Sequence, residues 1–373
     1  MTSLLQWLAV DLRTGGILAD LPDLDVESVS SVLCAVSTTM ASLPVPTAPE
    51  NWLRATLPGA VAMVLVDDAQ DGTTPVPLWG GMATQRQRGA GDVVSLALAT
   101  VEAYLDRRYL GDAAFTATDQ NTIVHDLVTS FVLDGTFPMV VSASASATTR
   151  DRAYLGTDDK TVLTALTELA GVAGGPEWTV TWEWLHAPER IVPVLQVADR
   201  IGSAVPAGLG PSATFEVPGP VTLADLVEDF SAGKGATSVM ATSTGTGATR
   251  PQSPVQTSGD TQRPTFEFRW TPSTSISDTA TLTAHAQQTL AVLADGSQAL
   301  SLSANLNDAP RLGRDWWIGD DIGYRVGGID SAGVDTVPAF PGGISGTARA
   351  VGWKMTLTGV RTVTPILAAS GSF

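Results

Sequence analysis

The chain has 373 residues, 44% of them hydrophobic, and a formal net charge of −17, so it can bury a core while its acidity repels nucleic-acid phosphates. Its three lysines, Lys160, Lys234 and Lys354, form no basic stripe that could release counterions from DNA, which argues against sequence-specific DNA binding. The same acidity suits a wall that DNA slides past without sticking, and it equally suits solubility alone.

With 36 glycines and 23 prolines the sequence is turn-rich, and it reads as mainly β, in two or three domains. Cys34 is the only cysteine, which excludes an internal disulfide framework and a cysteine-based zinc cluster. It reads as a small buried residue. His125, His186 and His285 lie far apart and form no HExxH-like pair, so neither a metal site nor a cofactor is expected. The opening MTSLLQWLAVDLRTGG has no basic region before its apolar stretch and soon meets Asp11 and Arg13, so neither a signal peptide nor a membrane anchor is expected. No run reaches the roughly 18 apolar residues that span a bilayer.

Residues 1–105 read as a first β-domain. A strand at 4–10 is followed by a Gly15-Gly16 turn and a strand at 17–21; after Pro44, Pro46 and Pro49 come strands at 60–66 and 76–82, separated by a DDAQDG loop. Residues 93–99 then alternate with Val94, Leu96 and Leu98 on one face. Residues 106–205 read as a small α/β insertion. Ile123, Val124, Leu127, Val128, Phe131 and Val132 fall at helical spacing, with Asp119 as N-cap and Gly135 as stop. Val162, Leu166 and Leu169 form a second stripe, preceded by Asp158 and Asp159 and ended by Gly171. Val180, Trp182 and Trp184 alternate with polar residues, and 191–197 supplies a partner strand across the Ala187-Pro188 turn.

Residues 206–373 read as a second β-domain. The stretch 223–231 has no decisive period, and the tract 242–263 is nearly pure Thr, Ser, Gly, Pro and Gln, so extended or mobile chain outside any core is expected there. TFEFRW reads as a strand, 278–293 as a helix capped by Ser277 and ended by Asp295-Gly296, and Leu300, Leu302, Ala304 and Leu306 as one face of a further strand. Trp353, Met355 and Leu357 repeat that pattern.

A GxSxG elbow, an SxxK pair, a Walker loop and a GxGxxG after a strand are all missing from any convincing context. Gly245-Thr246-Gly247, the nearest approach to a phosphate loop, has no helix pattern close behind it. A glycosidase needs two carboxyls facing across a cleft of about 5 to 10 Å. The doublets here do not offer that: Asp67-Asp68 reads as a loop, Asp158-Asp159 as a helix start and Asp320-Asp321 as a turn before a strand. No catalytic residue is assigned. Ten tryptophans admit a sugar-binding platform, with Trp178, Trp182, Trp184 and the doublet Trp316-Trp317 as candidates, although the shared face of Val180, Trp182 and Trp184 also suits a core or a subunit contact.

The segments WLAVDLRTGGILADLPDLDV, LPVPTAPENWLRATLPGAVAMVLVDD, PLWGGM with SLALATVEAYLDRRYLGD, DDKTVLTALTELAGVAGGPEWTVTWEW with ERIVPVLQVADRIG, KGATSVMATSTGTGATRPQSPV and HAQQTLAVLADGSQALSLSANL together resemble the minor tail proteins of actinobacteriophages, in the baseplate-hub or tail-associated family of long-tailed phages. That resemblance implies two tube-type β-barrel domains flanking the α/β insertion and a homotrimer whose six barrels make a pseudo-sixfold ring continuing the tail tube. It implies as partners the distal tail protein, the tape-measure protein and other tip or fibre proteins, with DNA passing through unbound. It implies a place at the virion tail tip after assembly in the host cytoplasm, and no catalytic residues in the core domains. Phe373 follows soon after the last barrel strand, so an appended peptidase or muralytic domain is not expected. A receptor-binding protein and a hexameric distal tail ring are the alternatives.

Overall fold

The computed structural model describes residues 4–68, 74–172, 174–245, 249–272, 276 and 278–368. Residues 69–72 of the expected DDAQDG loop, the expected cap Ser277, and Thr246, Gly247 and Phe373 lie outside them. The chain divides into two compact units, one made of residues up to Thr222 together with Ser303–Ile366, the other built on Leu223–Leu302.

The first unit opens with β1 (Leu4–Asp11), β2 (Ile17–Asp20), β3 (Asp25–Val26), β4 (Ser28–Val32) and β5 (Thr38–Pro44). A short α1 (Trp52–Ala55), then β6 (Val61–Asp68), β7 (Val76–Arg88) and β8 (Val93–Thr100) follow. Seven of these strands form one sheet in the order β2-β1-β6-β7-β8-β5-β3. Its two edge strands end and begin at Asp20 and Asp25. Chain of that length reaches at most about 18 Å, whereas seven strands laid flat would hold their edges roughly 29 Å apart. The sheet therefore curls into a barrel. Leu21 and Leu24, inside the link, are buried, and the Leu21 N–H donates to Trp7 O at 2.8 Å.

β1 and β6 read as continuous apolar runs because both their faces are covered: every residue from Val61 to Val66 is fully buried. One face looks into the barrel, where Trp7 meets Trp79 edge to face at 5.9 Å. The other joins the core of the insertion. That region contains a 3₁₀ segment (Val101–Arg107), β9 (Ala113–Asp119), α2 (Gln120–Phe131), β10 (Val140–Ala143), β11 (Thr149–Tyr154), α3 (Val162–Ala170), β12 (Glu177–His186) and β13 (Glu189–Ala198). Leu8, Val10 and Val64 share a single hydrophobic core with Ile123 and Leu127 of α2, Leu166 of α3 and Trp178 of β12. Asp119 caps α2 by accepting from the Asn121 and Thr122 N–H groups, and Thr161 caps α3 by accepting from Thr164 N–H. The β12–β13 hairpin also carries β10, which runs parallel to β13; β9 pairs β11 in a separate ribbon.

The remainder supplies β14 (Thr214–Val217), β15 (Val221–Asp229), β16 (Ser238–Ala241), β17 (Gln256–Thr257), β18 (Glu267–Trp270), α4 (Thr279–Leu293), β19 (Ser297–Asn305), β20 (Asp321–Val326), β21 (Ile344–Thr356) and β22 (Thr362–Leu367). A second sheet runs β14-β20-β21-β22-β19-β15, and β4 adds itself to β21 from Val32 opposite Gly352 to Ser28 opposite Thr356. Its edge strands β14 and β15 are again joined by a link, from Val217 to Val221, that reaches only about 14 Å against roughly 24 Å for six flat strands. The second sheet is bent as the first is. The fold is mainly β, with two curled sheets and an α/β block between them in sequence.

The second unit is a small α/β module in which β16 is flanked by β17 and β18, and α4 packs Leu282, Ala286 and Leu293 against Val239 and Ala241. The tract 242–263 is not wholly outside a core. Thr242, Ser243 and Ser253 are buried and β17 lies within it, because Ser243 N–H donates to Pro251 O and Ser253 N–H to Ala241 O, satisfying the polar backbone. Other local readings shift as well. Asp67 and Asp68 end strand β6 and are not loop residues, Asp67 being neutralised by Arg311. Asp158 closes a 3₁₀ turn and Asp159 is left-handed (φ 47°), so α3 starts only at Val162. Asp278 itself caps α4, accepting from Thr281 N–H at 2.8 Å.

In the PLWGGM segment a Cβ on Gly80 would lie 2.2 Å from the Trp182 ring, and one on Gly81 would lie 2.2 Å from the Trp79 ring. Glycine at these positions lets an indole lie flat on β7 from each side. Gly80→Ala is expected to cost about 1–3 kcal/mol through overpacking, whereas Gly89→Ala, where nothing lies within 4 Å, leaves stability unchanged; thermal denaturation of both variants checks the contrast.

Candidate functional site: a tryptophan junction and its charged ties

The densest chemistry of the first unit lies where the first sheet, the insertion and the second sheet meet. Trp79 of β7, Trp182 of β12, Trp317 and Trp353 of β21 surround Glu102, Thr100 and Thr179, leaving a cavity of about 10 Å³, too small for any ligand. Trp79 Nε1 donates to Ser30 O at 3.0 Å, and Glu102 Oε1 accepts from Val180 N–H at 3.1 Å. Burial pushes the Glu102 carboxyl up, against the opposing effect of hydrogen bonds from Thr100, its own N–H and Val180. The indole N–H groups of Trp178 and Trp353 and the Thr179 hydroxyl are buried without hydrogen-bond partners. Cys34, at φ 57°, exchanges backbone and side-chain hydrogen bonds with Trp178, and burial pushes its thiol up, away from nucleophilic thiolate chemistry.

Around this junction, ion pairs tie segments that are remote in sequence. Arg349 grips Glu177 with both guanidinium nitrogens, one at 2.6 Å, and also donates to Ile201 O and Gly319 O. Hydrogen bonding to Glu177 raises the Arg349 pKa further. Arg200 pairs Asp321 at 2.6 Å, and Arg311 pairs the buried Asp67 at 2.8 Å. These links span 172, 121 and 244 residues of sequence.

The residues singled out from sequence do not converge. His125 lies on α2 beside Asp126, His186 ends β12 stacked on Trp184, and His285 sits on α4 edge to face with Trp270. Among the described residues no group of three or more His, Cys, Asp or Glu side chains is placed to hold a metal ion. Asp67 and Asp321 are ion-paired, and Asp320 accepts from the Ser203 and Trp317 N–H groups. Gly245 is described, but Thr246 and Gly247 of the candidate loop are not. Trp178, Trp182 and Trp316 are buried, Trp182 against Gly80 and Trp316 against Phe215, so their faces are closed to a sugar. Glu102, Glu177 and Arg349 carry no signal in the sequence, since each meets its partner only through the fold.

The sequence matches no family model and no curated protein. Solved structures share the fold. A tail protein from Neisseria meningitidis MC58 aligns with a TM-score of 0.54 at 14% identity, over 97% of this chain and 96% of that one. The 43 kDa tail protein of prophage MuSo2 from Shewanella oneidensis aligns at 0.54 and 10% identity, over 97% and 98%. A chain of the Francisella PdpA-VgrG complex aligns at 0.52 and 8% identity, over 99% of this chain and 58% of that longer one. At such identities the likeness is one of fold.

Two outcomes test the junction. Because the folded Glu102 carboxyl binds its proton more tightly than the unfolded one, its contribution is fully present below the ordinary carboxyl range near about pH 4 and is lost as pH rises towards the elevated value. Melting Glu102→Gln beside the parent chain from acid to neutral pH should show the variant gaining relative stability with rising pH; a parent that gains instead contradicts the burial argument. Arg349→Ala strands the Glu177 carboxylate and should cost about 3 kcal/mol in denaturant titration, while the joint change Arg349→Leu with Glu177→Leu costs less.

Proposed function

We propose that this chain is a non-enzymatic structural subunit of a bacteriophage tail tip, a hub protein forming a ring that continues the tail tube. The observation carrying this reading is the end-to-end likeness in fold, over 97% of this chain and 96% and 98% of two tail proteins, one of them from a prophage. Domains at 1–105 and 206–373 serve as the two tube-type barrels, with 106–205 between and the module within Leu223–Leu302 as an elaboration of the second.

Three copies would place six curled sheets around one axis, converting a sixfold tube into a threefold tip. The strand β4, which leaves the first sheet to extend β21 of the second, holds the two in one body and suits a part that bears load without opening. The ring docks on the distal tail protein, carries tip or fibre proteins and leaves a passage for DNA; the net charge of −17 favours a lumen that does not retain it. Its place is the virion tail, assembled in the cytoplasm of an actinobacterial host, an origin that rests on the sequence segments quoted above. The burial of Trp182 and Trp316 speaks against the sugar-platform alternative.

Light scattering after size exclusion should give a mass three times the 38.7 kDa chain, and particles seen by electron microscopy should be rings with an axial hole. Six copies point to the distal tail ring instead, and a chain that stays monomeric at every concentration refutes the ring.

A further inference from the structure

We propose that the β7–β8 hairpin of one copy receives strand β15 of the next, a head-to-tail contact that rests on the ring reading and supplies its chemistry. The hairpin is a cationic spot on an acidic chain. At its tip Arg88 stands opposite Val94, and Gln85, Gln87 and Arg88 are exposed. Arg86 lies over the Trp52 ring at 6.0 Å and donates to Leu53 O and Thr56 Oγ1. Neither arginine has a carboxylate partner among the described residues. Beside them opens a cleft of about 570 Å³ walled by Val45, Pro46, Trp52 and Val93, with Arg88 and a single acid, Asp92, among its lining. Val93 is 50% and Leu53 47% exposed, so apolar surface stands free at this cationic spot.

β15 has the complementary pattern. It ends the order of the second sheet, so one of its edges has no partner strand among the described residues. Leu223 and Val227 are 57% and 53% exposed, and Asp225 lies between them at the alternation that puts all three on one face. Glu228 is exposed as well. An open edge bearing free aliphatic side chains is an aggregation hazard unless something covers it. An apolar–acidic–apolar ribbon fits a cleft of tryptophan and valine beside an unpaired arginine. Because the two surfaces differ, a pair of copies keeps one hairpin and one β15 free after the first contact, which is the condition for closing a ring.

The test is charge reversal read by sedimentation of the full chain at low and high salt. Arg88→Glu and Asp225→Arg should each weaken self-association about tenfold at low salt with melting temperature unchanged, and both changes in one chain should restore it, since every contact then pairs opposite charges again. Arg88→Ala gives a milder loss and serves if Arg88→Glu does not fold. Single variants that associate as tightly as the parent, or a double variant no better than either, overturn this contact while leaving the ring intact. A parent chain that never associates overturns both.

Discussion

A short tether between edge strands governs the architecture. In the first sheet the link between Asp20 and Asp25 is too short to bridge the edges of a flat seven-stranded sheet, and in the second the link between Val217 and Val221 does the same for six strands. Curling follows from chain connectivity, before any side chain is considered. β4 completes the arrangement by stepping from the first sheet to β21 of the second, with only Glu27 between it and β3.

Curling creates two kinds of apolar surface, an inner one and an outer one, and the insertion exists to cover the outer one. The helices α2 and α3 and the β12–β13 hairpin lie in the same hydrophobic core as the outward residues of β1 and β6. Close approach is set by Gly80, over which Trp182 lies. The cost of this dense packing is polar: Glu102 and the Trp353 indole N–H are buried with few or no partners. Such groups do little for stability, but the bidentate Arg349–Glu177 pair and the Arg311–Asp67 pair select one docking of the segments over others.

The ion pairs described above join segments of the chain to one another, and the features facing outward include the terminal strand β15, the β7–β8 hairpin and scattered aliphatic side chains.

Much of the local structure was legible from residue order alone. The stripes at Ile123 to Val132 and Val162 to Leu169, the caps at Asp119 and before Gly171, and the alternations around Trp182, Leu302 and Trp353 report burial of one face, and burial of one face is a short-range pattern. The mainly β class and the α/β character of 106–205 followed from the same source. What tertiary structure alone decided were relations between distant residues. Asp67 looked like a loop acid because its neutralising Arg311 lies 244 residues away, and β7 ran on to Arg88 because β8 pairs a polar TQRQR stretch that has no apolar period of its own. The module within Leu223–Leu302 stayed hidden because half of its buried core is small residues, Ala236, Ala241 and Ala286, contributed by β16, the residues before it and α4, which are distant in sequence. Local period encodes which side of an element is buried; what it is buried against depends on contacts that no local window contains.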